Sequence, residues 1–157
     1  LYDQMCQISQ ESQVLKEELL NLIDADSDAF KHVLDSYKLP KSTKNQVSVR
    51  NKEIDKAMKA ASHIPFRTLQ CCRDVINYAR DAAEYGNPNS VSDAGVAAEM
   101  ANAGARGAAL NVIINLNEID DDNYCKKLEK QTYKLVKETE NTLVVIREIV
   151  FKKIISE

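Results

Sequence analysis

The sequence predicts an all-α fold, a bundle of about five long helices with a buried, small-residue central helix. Three observations carry that reading. Helix breakers are scarce, with four Gly and three Pro in 157 residues, which leaves little material for the turns of an all-β chain. Leu1 to Leu39 contains neither Gly nor Pro. Apolar residues recur at steps of three and four, the spacing of one helix face. With 44% hydrophobic and 29% charged residues the composition is that of an ordinary globular domain, and residues 1–157 read as a single one.

The first helix carries Met5, Ile8, Leu15, Leu19 and Leu22 on one stripe. The same steps lead through Asp26 to Phe30, Val33 and Tyr37, so an acid stands where an apolar residue is expected. Leu39-Pro40 ends the helix, because the residue before Pro avoids the α region. Ser42 or Thr43 can cap a second helix, which runs to about Ser62 through Val47, Ile54, Met58 and Ala61. Pro65 suits the first position of a third helix, with Leu69, Cys72, Ile76, Ala79 and Ala83 buried and Gly86 as its stop. The run Gly86-Asn87-Pro88-Asn89-Ser90 is the strongest turn signal, and Ser90 with Asp93 resembles a capping box opening a fourth helix. That helix is apolar or small nearly all round. Val96, Met100, Ala103, Gly107, Leu110 and Ile114 form one face, and Ala97, Ala101, Gly104, Ala108, Asn111 and Asn115 another. A helix without a broad polar face is usually buried, so it is expected at the centre. Asp120 to Asp122 open the last helix.

Net charge is −3, which disfavours a nucleic-acid partner. No apolar run approaches the ~20 residues of a membrane span, and the first residues do not form a signal peptide. Cys6, Cys71, Cys72 and Cys125 show neither a C-x-x-C pair nor the density of a disulfide scaffold, so they are expected to be reduced thiols in a cytoplasmic protein. His32 and His63 have no metal-ligand spacing, and no metal site is expected. Phosphate-loop, dinucleotide, nucleophile-elbow and H-E-x-x-H motifs are absent.

Several constellations could carry chemistry. Asp24, Asp26 and Asp28 crowd one and a half turns. A carboxylate on a buried stripe is paired, protonated or not truly buried, so these acids are either a solvated kink or an acid/base site. Asn87, Asn89, Ser90, Ser92 and Asp93 surround a helix start, which suits either an anion site or plain turn chemistry. Asn111 and Asn115 lie one turn apart and need partners if buried. Residues 38–59 hold seven Lys and Arg, including Lys38, Lys41 and Arg50, against two acids, which makes them a receiver for an anionic tail or a solvated face.

Taken together in order, these strings resemble the formiminotetrahydrofolate cyclodeaminase family. The matching pieces are Leu22 to Phe30, Leu39-Pro40-Lys41, Ile64-Pro65-Phe66, Gly86 to Asp93 and Gly107 to Leu116, within a span from about Leu15 to Tyr124. The family includes the cyclodeaminase half of a bifunctional histidine-degradation enzyme and stand-alone cyclodeaminases or methenyltetrahydrofolate cyclohydrolases. The resemblance implies a homodimeric all-α enzyme of folate one-carbon metabolism, with a tetrahydrofolate derivative as substrate and no permanently bound cofactor. Its first expected reaction converts 5-formiminotetrahydrofolate to 5,10-methenyltetrahydrofolate and ammonia, and its second is the cyclohydrolase step. On that basis Asp26 or Asp28 is the acid/base group and Asp93 the second carboxylate. Asn87, Asn89, Ser92, Asn111 and Asn115 orient the substrate, and Lys38, Lys41 and Arg50 receive its glutamate tail. The family's opening Gly-rich turn and small, apolar helix have no counterpart in Leu1 to Leu15. A chain without them would lack part of the pocket and one wall of the bundle. The reading of a different class is a non-catalytic helical interaction protein, in which Asp26 sets register and the Asn pair bridges helices.

Overall fold

The computed structural model describes residues 2–155. They form four long helices and, among the described residues, no strand: α1 (Tyr2–Tyr37), α2 (Lys44–Tyr85), α3 (Val91–Leu116) and α4 (Asp122–Ile155), with a 3₁₀ turn, Pro88–Ser90, leading into α3.

The expected end of the first helix holds. Lys38 and Leu39 close its last turn with amides donating to the carbonyls of Asp35 and Ser36, and Pro40 prevents continuation. Arg50 donates to the carbonyl of Tyr37 at 3.2 and 3.1 Å. Thr43 and Gln46 form a reciprocal capping box that opens α2.

Pro65 does not start a third helix. It lies inside α2, which runs unbroken for 42 residues, so the bundle has four long helices rather than about five. A proline has no N–H for the carbonyl four residues before it. The carbonyl so deprived, that of Ala61, instead accepts the side-chain amide of Asn115 at 3.2 Å. Asn115 on α3 therefore replaces the missing link, and the helix passes through the proline.

Gly86 ends α2 as expected. Its N–H donates to the Ala82 carbonyl, and a Cβ there would collide with that same oxygen. The Ser90 capping box does not form, since the Ser90 side chain makes no cap hydrogen bond. The turn is held instead by Asn87, whose side chain accepts from the Asn89 amide at 3.0 Å. Asp121 caps α4, accepting from the Tyr124 amide at 3.1 Å. Near the other end of α4, Lys153 donates to the carbonyls of Ala83 and Glu84, both at 2.7 Å.

The central element is α2, which packs extensively on each of the other three helices, whereas α1 packs extensively on α2 alone. The core runs along α2 in three patches. Ile76, Ala79 and Ala83 meet Ala94, Ala98, Ala101, Leu143 and Ile146. Leu69 and Cys72 meet Ala105, Ala108 and Ala109. Met58 and Ala61 meet Val33, Val112, Leu116, Ile119 and Leu128. The alanine face of α3 lets its backbone come close to α2 and α4. Its other face is open: Val96 is 62%, Met100 69%, Leu110 72% and Ile114 63% exposed. The expectation of a helix buried on all sides is thus half right. Among the described residues α3 packs on α2 and α4 through its alanine face alone. No described helix is long and apolar enough to cross a membrane.

Candidate functional site

The buried face of α1 runs through Leu15 and Val33 by way of half-buried Leu22, Ala25 and Ala29, rather than through Asp26 and Phe30. Burial keeps a seven-residue step along α1, through Leu15, Leu22, Ala29 and Ser36, and Asp26 and Phe30 lie at the edge of that seam. Asp26 is consequently exposed, which removes the expected buried carboxylate but turns it toward a groove.

That groove lies between α1 and α3 over a floor of α2. One part, about 250 Å³, is lined by Asp26 and Phe30 from α1, Met58 and Ala61 from α2, and Asn111, Ile114 and Asn115 from α3. The adjoining part, about 330 Å³, shares Asp26 and Asn111 and adds Pro65, Thr68 and Gly104. The structure therefore unites three sequence-predicted residues, Asp26, Asn111 and Asn115, which stand on two helices, the amides 85 and 89 residues after Asp26 in the chain. Pairing with the Ala61 carbonyl fixes the Asn115 amide group, so its carbonyl oxygen remains as an acceptor. Phe30 and Ile114, 61% and 63% exposed, supply apolar walls. Small-molecule sites combine such walls with a few fixed polar groups. Sequence reasoning did not assign Phe30, Ile114 and Pro65 to the site. Phe30 and Ile114 carry a helical-step signal, since Phe30 follows Asp26 by four residues and Ile114 follows Asn111 by three, whereas Pro65 on α2 carries none.

Asp28 does not join this groove. It faces a different cleft between α1 and α2, lined also by His32, Asp35, Glu53 and Lys56. Lys31 bonds it at 2.9 Å and holds its carboxyl below the usual range, which disfavours a role as proton donor.

Asn87, Asn89, Ser92 and Asp93 lie at the start of α3. Eighteen residues separate Asp93 from Asn111, ~27 Å along the helix, so one chain cannot bring Asp93 to Asp26. Asn87 and Asn89 build the turn itself. Ser92 borders an apolar groove of about 450 Å³ with Val96, Met100, Val150, Phe151 and Ile154. The third group, Lys38, Lys41 and Arg50, clusters at the α1–α2 turn. Lys38 pairs with Asp35 at 2.8 Å and Arg50 is engaged with Tyr37, while Lys41 is exposed.

Polar residues outside these groups are structural ties. Tyr124 shares a 2.7 Å hydrogen bond with Ser62, and Lys59 reaches Asp121 at 2.9 Å and Asp55 at 3.0 Å, joining α2 to the start of α4. Arg67 grips Glu18 with two nitrogens, and Tyr78 donates to Glu11 at 2.6 Å, fastening α1 to α2. Burial pushes the Cys71 thiol up to about 11 and raises Cys72 as well, so neither is a ready nucleophile. No three His, Cys, Asp or Glu among the described residues gather to hold a metal ion.

Residues 1–134 match the family model described as formiminotransferase-cyclodeaminase. The methenyltetrahydrofolate cyclohydrolase of Methylorubrum extorquens is 39% identical over 132 residues, which cover 84% of this chain and 64% of that protein. The formimidoyltransferase-cyclodeaminase of Rattus norvegicus is 29% identical over 129 residues, 82% of this chain and 24% of that one. The crystal structure of formiminotetrahydrofolate cyclodeaminase from Thermotoga maritima superposes with a TM-score of 0.65 at 27% identity, covering 92% of this chain and 64% of its own. The chain thus spans about two thirds of the stand-alone relatives and a quarter of the bifunctional one. With the motif order, the helical bundle and the family match in agreement, the chain belongs to the formiminotransferase-cyclodeaminase family.

Proposed function

We propose that this chain forms the folate-binding helical body of a homodimeric one-carbon enzyme that works on the carbon bridging N5 and N10 of tetrahydrofolate. The observation that carries the proposal is the α1–α3 groove, in which a solvent-facing carboxylate, Asp26, stands beside two amides and two apolar walls. The substrate cation of a methenyl compound asks for a nearby anion, and its flat ring system asks for surfaces such as Phe30 and Ile114.

In the cyclohydrolase reaction water adds to the methenyl carbon and gives up a proton to the carboxylate. The carbon becomes tetrahedral, its bond to N5 breaks, and N5 takes a proton, leaving 10-formyltetrahydrofolate. The 39% identity to a cyclohydrolase favours this reaction. In the cyclodeaminase reaction N10 attacks the formimino carbon and loses its proton to the same base. The nitrogen of the former formimino group is protonated and leaves as ammonia. The likeness to the Thermotoga maritima protein supports that second reading. Both pass through a tetrahedral carbon between the two nitrogens, so one pocket suits either. Asn111 and Asn115 orient the ring system, and the cationic turn of Lys38, Lys41 and Arg50 attracts the glutamate tail.

The test is direct. The protein is given 5,10-methenyltetrahydrofolate and the decay of its absorbance is compared with the uncatalysed rate; in parallel, 5-formiminotetrahydrofolate is supplied and absorbance gain and ammonia are followed. Asp26→Asn should lower the active reaction by ~10²-fold or more if this group moves the proton. Silence with both folates, or a near-normal Asp26→Asn rate, removes the proposal.

A further inference from the structure

The open face of α3 has an internal symmetry. Val96, Met100, Ala103, Gly107, Leu110 and Ile114 follow steps of four, three, four, three and four, the same read in either direction. The pattern mirrors about Ala105: Val96 against Ile114, Met100 against Leu110, Ala103 against Gly107. Large side chains stand at both ends and the two smallest at the middle. All six residues are exposed, and around Gly107 nothing lies within 4 Å of where a Cβ would be. A two-fold interface is self-complementary, so that residue i of one copy meets residue j of the other and j meets i. A stripe with this mirror order meets that condition when two α3 helices run antiparallel, with the small pair allowing the backbones to approach. The three-four step is also that of a packed helical seam.

The same two-fold bears on the site. Asp93 and Asn111 are 18 residues, about five turns, apart, so both project from the same edge of the stripe. That edge is the one facing α1, where Asp26 and Asn115 stand. An antiparallel two-fold keeps the edge and reverses the height. It brings the partner's Asp93 level with residue 117, ~3 Å along the axis from Asn115 and ~9 Å from Asn111. The ~27 Å that separates Asp93 from the groove within one chain is thereby removed.

We propose that two copies of this chain pack antiparallel through the α3 stripe, and that each α1–α3 groove takes its second carboxylate, Asp93, from the other copy. The assignment of Asp93 as a working group rests on the folate reading above; the packing does not.

Two experiments separate those parts. The first uses Ala103→Cys/Gly107→Cys under mild oxidation. Arg106 lies between the two positions, so tryptic peptides distinguish a 103–107 link from a 103–103 link. Intermolecular 103–107 links are expected. A protein that is monomeric by light scattering, whatever covers its stripe, or that yields only 103–103 and 107–107 links, overturns the packing even if no folate activity is found. Gly107→Arg, which has room in the single chain, should give a monomer of unchanged helicity, and an intact dimer would also overturn the proposal. The second experiment mixes Asp26→Asn with Asp93→Asn after subunit exchange. If each site draws one residue from each copy, half the dimers are mixed and each carries one intact site, so activity returns to about a quarter of wild type. No gain over the separate variants, with wild-type protein active and exchange verified, overturns the shared site. Wild-type protein that cross-links as expected but lacks folate activity faults the folate reading alone.

Discussion

The passage of α2 through Pro65 makes a sharp prediction about Asn115. The Ala61 carbonyl is in the core, with its residue 8% exposed, and it has lost its helical donor to proline. The Asn115 amide at 3.2 Å takes that place. Asn115→Ala leaves a buried carbonyl unbonded, which costs about 2 kcal/mol. For a chain of this length that lowers the melting temperature by about 4–8 °C. Pro65→Ala restores an N–H aimed at the same carbonyl, so the penalty of Asn115→Ala should shrink by about 1 kcal/mol or more when both changes are present. Thermal and urea unfolding of the four proteins in this cycle provide the measurement. Equal penalties with and without Pro65 would refute the account, because the amide would then be stabilising something other than the proline break.

Other consequences can be checked as simply. Tyr78 is pushed up to about 12 chiefly by its hydrogen bond to Glu11, and Glu11 is held below its usual range. The raised phenol contributes stability that is full below its ordinary value of 10 and is lost as pH climbs through about 12, while the lowered carboxyl's share is present above 4.5 and is lost as pH falls. Tyr78→Phe should flatten the alkaline fall in denaturation curves taken across that range. Gly86→Ala drives a Cβ into the Ala82 carbonyl, which cannot yield as a side chain can; a loss of about 1–3 kcal/mol is expected by urea titration. In native protein a thiol reagent should label exposed Cys6 quickly and buried Cys71 and Cys72 only on unfolding.

Local signals in the sequence read well where the cause is local. Pro40, the Thr43 cap, Gly86 and the acids at 120–122 act within a turn of themselves, and each marks an observed boundary. Pro65 reads as a helix start because the same residue suits a first turn or, with outside help, an interior. That help comes from Asn115, fifty residues away. Asp26 falls on the counted stripe because steps of three and four admit either Asp26 and Phe30 or Ala25 and Ala29 after Leu22, and burial takes the alanines. The open face of α3 reads as buried in the sequence because composition marks a face as apolar without naming what packs on it. For the site, residue types were legible and their grouping was not. Asp26 joins Asn111 and Asn115 only through the packing of α1 and α3 on α2, while Asp28, two residues on, turns to another cleft.

The attachment of α1 has one more consequence. It rests mainly on α2, tied by Glu11, Glu18 and an apolar seam, whereas α2, α3 and α4 hold one another. The helix that carries Asp26 is therefore the part most able to open by itself. A molecule lodged in the groove would act as a strut between two helices that otherwise scarcely touch, so occupancy and the order of α1 rise together. Amide exchange along residues 19–33 would then slow on binding far more than exchange in α4, and the wall of the pocket would report its own contents.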